Sequence, residues 1–215
     1  MHIIVDNLGV FGRGLLVSIQ ISVSTFVLAG LLGVLLAVCR ISPVLPLRLA
    51  ATVYVELVRS IPLLVLLTLF VFGLPEIGLI GSLLWTAVAA MSLYWATFFS
   101  ETIRTGIRAV PKGQIEAARA LGLTFGQVLR LVVLPQAVRS IIQPLASLLI
   151  AVILNSSLAA AVGVTEELTG QTQLLDQQYA QPLTTFGAAA VCYVALTFFI
   201  GRSAGFLDKR LAVQR

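Results

Sequence analysis

Five runs of apolar residues, over about 15–39, 49–72, 83–103, 136–157 and 184–206, recur along this chain of 215 residues. Each is close to the roughly 20 residues that a helix needs to cross the hydrocarbon core of a bilayer. Inside lipid no water can satisfy a free N–H or C=O, so a crossing segment is either a helix or a strand of a closed barrel. The runs show no sustained two-residue alternation, which leaves helices. The expected fold is all-α: a polytopic membrane protein with about five transmembrane helices, forming a single domain over 1–215. Hydrophobic residues make up 59% of the chain and charged residues 11%, more apolar surface than a soluble domain of this size can hide. Membrane lipid is therefore the first expected partner.

Basic residues orient the helices. Of the 14 lysines and arginines, twelve (Arg40, Arg48, Arg104, Arg108, Lys112, Arg119, Arg130, Arg139, Arg202, Lys209, Arg210 and Arg215) fall in or beside the loops after runs one and three, or at the end of run five and beyond it. Arg13 alone lies on the other side, with Asp6, Glu76, Glu166, Glu167 and Asp176, and Arg59 sits within run two. The positive-inside bias places the N-terminus outside and the C-terminus in the cytoplasm, as an odd number of crossings requires. The net charge of +5 does not imply nucleic acid, because the basic residues are not interleaved with aromatics on a water-facing surface. The N-terminus has no basic region before its apolar run and carries Asp6, so a cleaved signal peptide is not expected. Cys39 and Cys192 lie in apolar runs and read as small hydrophobes, without disulfide or metal spacing.

One polar segment interrupts the apolar pattern on the basic side, the loop over 108–135. Pro111 suits a helix start. Ala117, Ala118 and Ala120 are strong helix formers, and Gly122 stands where a left-handed C-terminal cap is expected. Thr124, with Gln127 three residues on, reads as a capping box opening a second short helix. Pro135 is expected to disrupt the ladder as the chain returns to the bilayer. The loop thus predicts helix, sharp corner, helix. Small side chains at Ala117, Ala118 and Gly122, rimmed by Glu116 and Arg119, suit insertion into a partner's groove or, on another reading, an amphipathic loop lying on lipid headgroups.

Charged and polar residues inside the runs are the remaining candidates, since their burial in lipid needs a reason. Glu56 and Arg59 are three apart on one helical face and are expected to pair, as a gate or contact for a charged solute or as a self-satisfied pair near the interface. Glu101 and Arg104 repeat the spacing at the inner end of run three. Asn155, Ser156 and Ser157 lie late in run four and suit either substrate contact or helix–helix hydrogen bonding. Glu166 and Glu167 are expected on the outer surface, either solvated or meeting a protein of complementary charge. His2 is the only histidine and no aspartate lies within a run, so triad, paired-aspartate and metal catalysis have no material. No catalytic residue, cofactor or metal site is expected.

The spacing Glu116-Ala117-Ala118, Gly122, Val132, Leu134-Pro135 resembles the signature loop of permease subunits of binding-protein-dependent ABC importers, with Val132 in place of the usual isoleucine. Glu56-Leu57-Val58-Arg59-Ser60-Ile61-Pro62-Leu63-Leu64, Phe72-Gly73-Leu74-Pro75, Ser100-Glu101-Thr102-Ile103-Arg104-Thr105-Gly106-Ile107, Gly113-Gln114 and Leu134-Pro135-Gln136-Ala137-Val138-Arg139 resemble the polar amino acid branch of that family. The likeness runs from about 15 to 205, and the ending Leu211-Ala212-Val213 is most similar to glutamate-type permeases. It implies a MetI-like type I permease in a prokaryotic plasma membrane that carries a polar or acidic amino acid. It implies three partners: a cytoplasmic ATP-binding cassette ATPase docking on Glu116, Ala117, Ala118, Gly122, Leu134 and Pro135, a second identical or homologous permease, and an extracytoplasmic solute-binding protein. No Gly-x-x-x-x-Gly-Lys-Ser/Thr pattern occurs here, so ATP chemistry belongs to the separate ATPase. The family commonly has lysine where this chain has Leu154. The alternative is an ion-gradient-driven secondary transporter or channel subunit, although inverted repeats are not evident.

Overall fold

A computed structural model describes residues 2–211, with side chains through Phe206. Met1 and 212–215 lie outside the described residues, and with them Arg215 and Ala212-Val213 of the glutamate-type ending. The described residues form helices and no strand. In chain order they are α1 (His2–Asp6), α2 (Leu8–Ile41), α3 (Leu45–Ser60), α4 (Leu63–Thr68), α5 (Leu74–Glu76), α6 (Leu83–Arg108), α7 (Lys112–Ala120), α8 (Phe125–Gln127), α9 (Leu134–Ser156), α10 (Leu158–Ala161), α11 (Leu168–Tyr179) and α12 (Pro182–Leu211). Two wide π-helical turns, Leu69–Gly73 and Val128–Val133, join α4 to α5 and α8 to α9.

Four stretches are long and apolar enough to cross a bilayer: Leu8–Ile41, Leu83–Arg108, Phe125–Ala161 and Pro182–Phe206. The second run departs from expectation. In place of one helix over 49–72, the chain breaks after Ser60 and bends by 102° between Leu45–Ser60 and Leu63–Glu76. Pro62 is the cause: it lacks an N–H and excludes its predecessor from helical geometry, and Ile61 is accordingly extended (φ −91°, ψ 129°). Beyond the bend, Leu63, Leu67 and Val71 turn inward and join the core with Met91 and Trp95 of α6.

Pro135 behaves in the opposite way. Instead of ending a helix it is carried inside one, because the preceding turn has widened. The Leu134 N–H donates to the Leu129 carbonyl five residues back, and the proline enters α9 in its first turn, where a missing N–H costs nothing. A wide turn, Leu69–Gly73, likewise precedes Leu74-Pro75, with the Leu74 N–H donating to the Phe70 carbonyl.

Lipid already solvates apolar side chains, so helix association depends on close packing rather than on hiding leucines. The α2–α6 pair is the most extensive in the fold, and its seam is small. Ser22, Thr25, Ala29, Gly33 and Ala37 recur every three or four residues along α2 and are buried, and Gly14 and Ser18 continue the stripe against the start of α11. Ala87, Ala90, Ala96, Thr97 and Ser100 answer them on α6. A methyl group added at Gly33 would overlap the Phe99 side chain and come within 3.1 Å of the Ala96 carbonyl. Bulky apolar side chains such as Leu16, Leu31 and Leu35 point outward. Against this pair pack α9 and then α12, while α11 lies across α2 and α12. The 23 residues of α9, at 1.5 Å each, separate the α7–α8 corner from α11 by about 35 Å.

Candidate functional site

The α7–α8 corner is rigid by local bonding. Gly122 has φ +82°, the left-handed conformation that glycine adopts without strain. Around it the Leu123 N–H donates to the Ala118 carbonyl (3.2 Å) and the Gly122 N–H to the Arg119 carbonyl (2.9 Å), the two bonds of a Schellman cap. The capping box follows: the Thr124 N–H donates to Gln127 Oε1 (2.8 Å) and the Gln127 N–H to Thr124 Oγ1 (3.4 Å). Gln136 Nε2 donates to Gln114 Oε1 (2.6 Å) and clips the start of α7 to α9.

This geometry sorts the expected docking residues. Glu116, Ala117, Gly122 and Pro135 are exposed, and Leu134 is 43% exposed on the flank. Ala118 instead faces inward and packs in a small core with Val110, Val128 and Val133, so it supports the corner from beneath. Two residues that sequence reasoning missed form the apex. Leu121 is 81% and Phe125 is 70% exposed, apolar groups left uncovered on either side of the glycine turn. Their position, flanking a glycine in an otherwise polar loop, is the signal that would have found them.

Of the two charged pairs expected within the runs, one forms and one does not. Glu56 and Arg59 are both exposed and form no ion pair with each other. α3 ends one residue after Arg59, whose guanidinium lies 5.2 Å from the centre of the Phe98 ring on α6. Glu101 and Arg104 do pair, and Arg40 of α2 joins them, with its Nη1 2.7 Å from Glu101 Oε2. Beside these groups α3, α6 and α9 line an open-sided cavity of about 260 Å³, with Arg59, Phe98, Glu101, Thr105, Ser140 and Pro144 among its walls.

Asn155, Ser156 and Ser157 are not brought to this cavity. From Pro144 to Asn155 is eleven residues of helix, about 16 Å. Each polar group bonds back along its own helix: Asn155 Nδ2 to the Ala151 carbonyl, Ser156 Oγ to Ile153 and Ser157 Oγ to Leu154, at 2.8, 2.8 and 2.7 Å.

At the far end, Glu166 is exposed but Glu167 is not, contrary to the expectation of an acidic surface. Glu167 caps α11 from a buried position. Its Oε2 accepts from the Thr169 N–H (2.7 Å), and its Oε1 accepts from Ser18 Oγ (2.8 Å) and from the Tyr193 hydroxyl. Ser18 Oγ in turn accepts from the Leu168 N–H (3.2 Å). Burial pushes the Glu167 carboxyl above its ordinary value, against the opposing pull of these donors, Tyr193 foremost.

A model of the family described as "Binding-protein-dependent transport system inner membrane component" matches residues 29–213. This chain belongs to that family. As such a component it is a membrane-embedded permease rather than an enzyme. Over 211 residues it is 34% identical to the "Probable glutamine ABC transporter permease protein GlnM" of Bacillus subtilis (strain 168), covering 98% of this chain and 97% of that one. It is 35% identical to the glutamate transport system permease protein GluC of Corynebacterium glutamicum, with 93% and 92% covered. Identity to the arginine transport system permease protein ArtQ of Bacillus subtilis is 33%, with 89% of each covered. Among solved structures, the permease superposes on an amino acid ABC transporter crystallised with histidines at a TM-score of 0.92, with 28% identity and 96% of each chain covered. It also matches the MetNI methionine ABC transporter in inward-facing conformations, at a TM-score of 0.78 and 25% identity, with 97% of this chain and 99% of that one covered.

Proposed function

We propose that this permease forms the membrane pathway of an ATP-driven importer for a polar or acidic amino acid, with glutamate the favoured substrate. Relatives named for glutamine, glutamate and arginine support the substrate class. In the assembled importer the chain pairs with a second permease, receives solute from an extracytoplasmic binding protein and docks a cytoplasmic ATPase. The N-terminus then lies outside and the C-terminus in the cytoplasm, with the α7–α8 corner among the basic loops.

One observation carries the coupling role: a corner fixed by its own hydrogen bonds presents Leu121 and Phe125 to water. An apolar pair at the tip of a rigid lever suits a groove on a moving partner, and Glu116, Ala117 and Gly122 complete the contact surface. Closure of two ATPase subunits on nucleotide would shift the permeases between two states, because the partner has a different affinity for each. Leu121→Asp and Phe125→Asp should each reduce copurification of the ATPase by at least tenfold, a desolvation penalty of about 1.4 kcal/mol or more. Gly122→Asp should do the same. Its added Cβ meets nothing within this chain, so a loss beyond the roughly 1–2 kcal/mol of left-handed strain reports a partner. Undiminished copurification of all three variants rejects the docking role. Uptake by vesicles holding the complete complex should require ATP, whereas uptake driven by an ion gradient through this chain alone would favour a secondary transporter.

A further inference from the structure

We propose that the cavity between α3, α6 and α9 is a carboxylate site on the translocation path, in which Arg59 holds the acid group of the passing amino acid. The proposal rests on the amino-acid reading above and adds to it a site and an order of preference among substrates.

The cavity wall carries unspent positive charge. Glu101 is the acid in the cavity wall, and both of its oxygens are taken, Oε2 by Arg40 Nη1 at 2.7 Å and Oε1 by Arg104 Nη2. Two arginines thus more than balance its single negative charge. Among the described residues Arg59 forms no hydrogen bond and no ion pair, and its guanidinium lies over the Phe98 face. Stacking on a ring occupies the plane of a guanidinium and leaves its five edge N–H donors free. A planar fork with a free edge at a cavity is matched by a carboxylate, which it binds through two parallel bonds.

The remaining walls agree. Thr105 and Ser140 supply hydroxyls, and Pro144 with Phe98 supplies apolar surface for the carbon skeleton. At about 260 Å³ the space lies just below the pockets of roughly 300 Å³ and more that hold drug-sized ligands, a scale suited to a single amino acid. Arg40 and Arg104 more than offset Glu101, and Arg59 adds a positive charge in the cavity wall, so a second acid group on the substrate is favoured and a cationic side chain is opposed. The cavity should therefore prefer glutamate to glutamine, and glutamine to arginine. A lipid phosphate offers the same oxyanion chemistry, and the test separates the two sources.

The complete transporter, with Cys39 and Cys192 replaced by alanine and Thr105→Cys introduced, is reconstituted in discs of zwitterionic lipid. Position 105 should react faster with an anionic methanethiosulfonate than with its cationic counterpart. Arg59→Gln should lower that rate ratio by about threefold or more, as loss of a nearby charge requires, and L-glutamate should slow labelling in the Arg59 protein only. In vesicles, Arg59→Gln should cut the initial rate of L-glutamate uptake by at least about tenfold, and Arg59→Lys by less, because it keeps the charge and loses the fork. A rate ratio indifferent to Arg59→Gln, or glutamate uptake within about twofold of the unmutated transporter, overturns the proposal. So does protection of position 105 by added anionic lipid but not by glutamate. If the unmutated complex takes up no amino acid with ATP, the importer reading fails, while the labelling ratio still decides whether the cavity is an anion site.

Discussion

Glu167 and Arg59 are single charged residues whose neighbours reverse what their positions suggest. Glu167 reads as surface acid, yet it is sealed beneath α11 and receives the Ser18 and Tyr193 hydroxyls together with the Thr169 amide. Glu167→Ala strands the Tyr193 and Thr169 donors, each at about 1–3 kcal/mol, so the purified permease should melt several degrees lower. Glu167→Gln keeps an acceptor and should be milder. The two proteins should also differ in their response to pH. Burial raises the folded pKa above the ordinary carboxylate value, so folding favours the protonated form. That contribution is fully present below the unfolded pKa and is lost as pH rises through the folded one. Glutamine cannot titrate, so the melting temperature of Glu167→Gln should gain on the parent as pH increases across that window. A constant difference from acid to neutral pH rejects a raised pKa.

Among the elements, the α2–α6 seam and the two π turns decide the architecture. Gly33 lies against Phe99 and the Ala96 carbonyl so closely that even alanine overpacks. Gly33→Ala should destabilise by about 1–3 kcal/mol, and Gly33→Leu should prevent accumulation of folded protein in the membrane. Gly12, which has open space around it, is the control: Gly12→Ala should leave the yield unchanged. Detergent-extracted monodisperse protein is the measurement. The π turns explain why two prolines with similar local sequence, Leu74-Pro75 and Leu134-Pro135, are both absorbed while Pro62 breaks its helix. The wide turn removes the demand for the amide that proline lacks, and no such turn precedes Pro62.

For the whole molecule the consequence is two ends of different character about 35 Å apart. One carries the corner with Leu121 and Phe125, and the other carries α11 clamped between α2 and α12. A cysteine at 121 should react with a membrane-impermeant reagent only from the cytoplasmic side. A cysteine at 183, where the native leucine is 91% exposed near the start of α12, should react only from outside. The opposite pattern would invert the importer.

The chain's own order determined what depends on neighbours a few residues away. Apolar run length located four of the spanning helices, and missed only the break in the second run. The corner was legible because the glycine cap and the capping box at Thr124 and Gln127 are local bonds. The Glu101–Arg104 pair, three residues apart, was legible for the same reason. Tertiary structure alone decided the rest. Ser18 meets Glu167 across 149 positions, Arg40 meets Glu101 across 61, and Arg59 turns to Phe98 rather than to Glu56. Helical spacing puts two side chains on one face, but which partner a charge takes depends on what another helix brings within reach, and no periodicity along the chain encodes that.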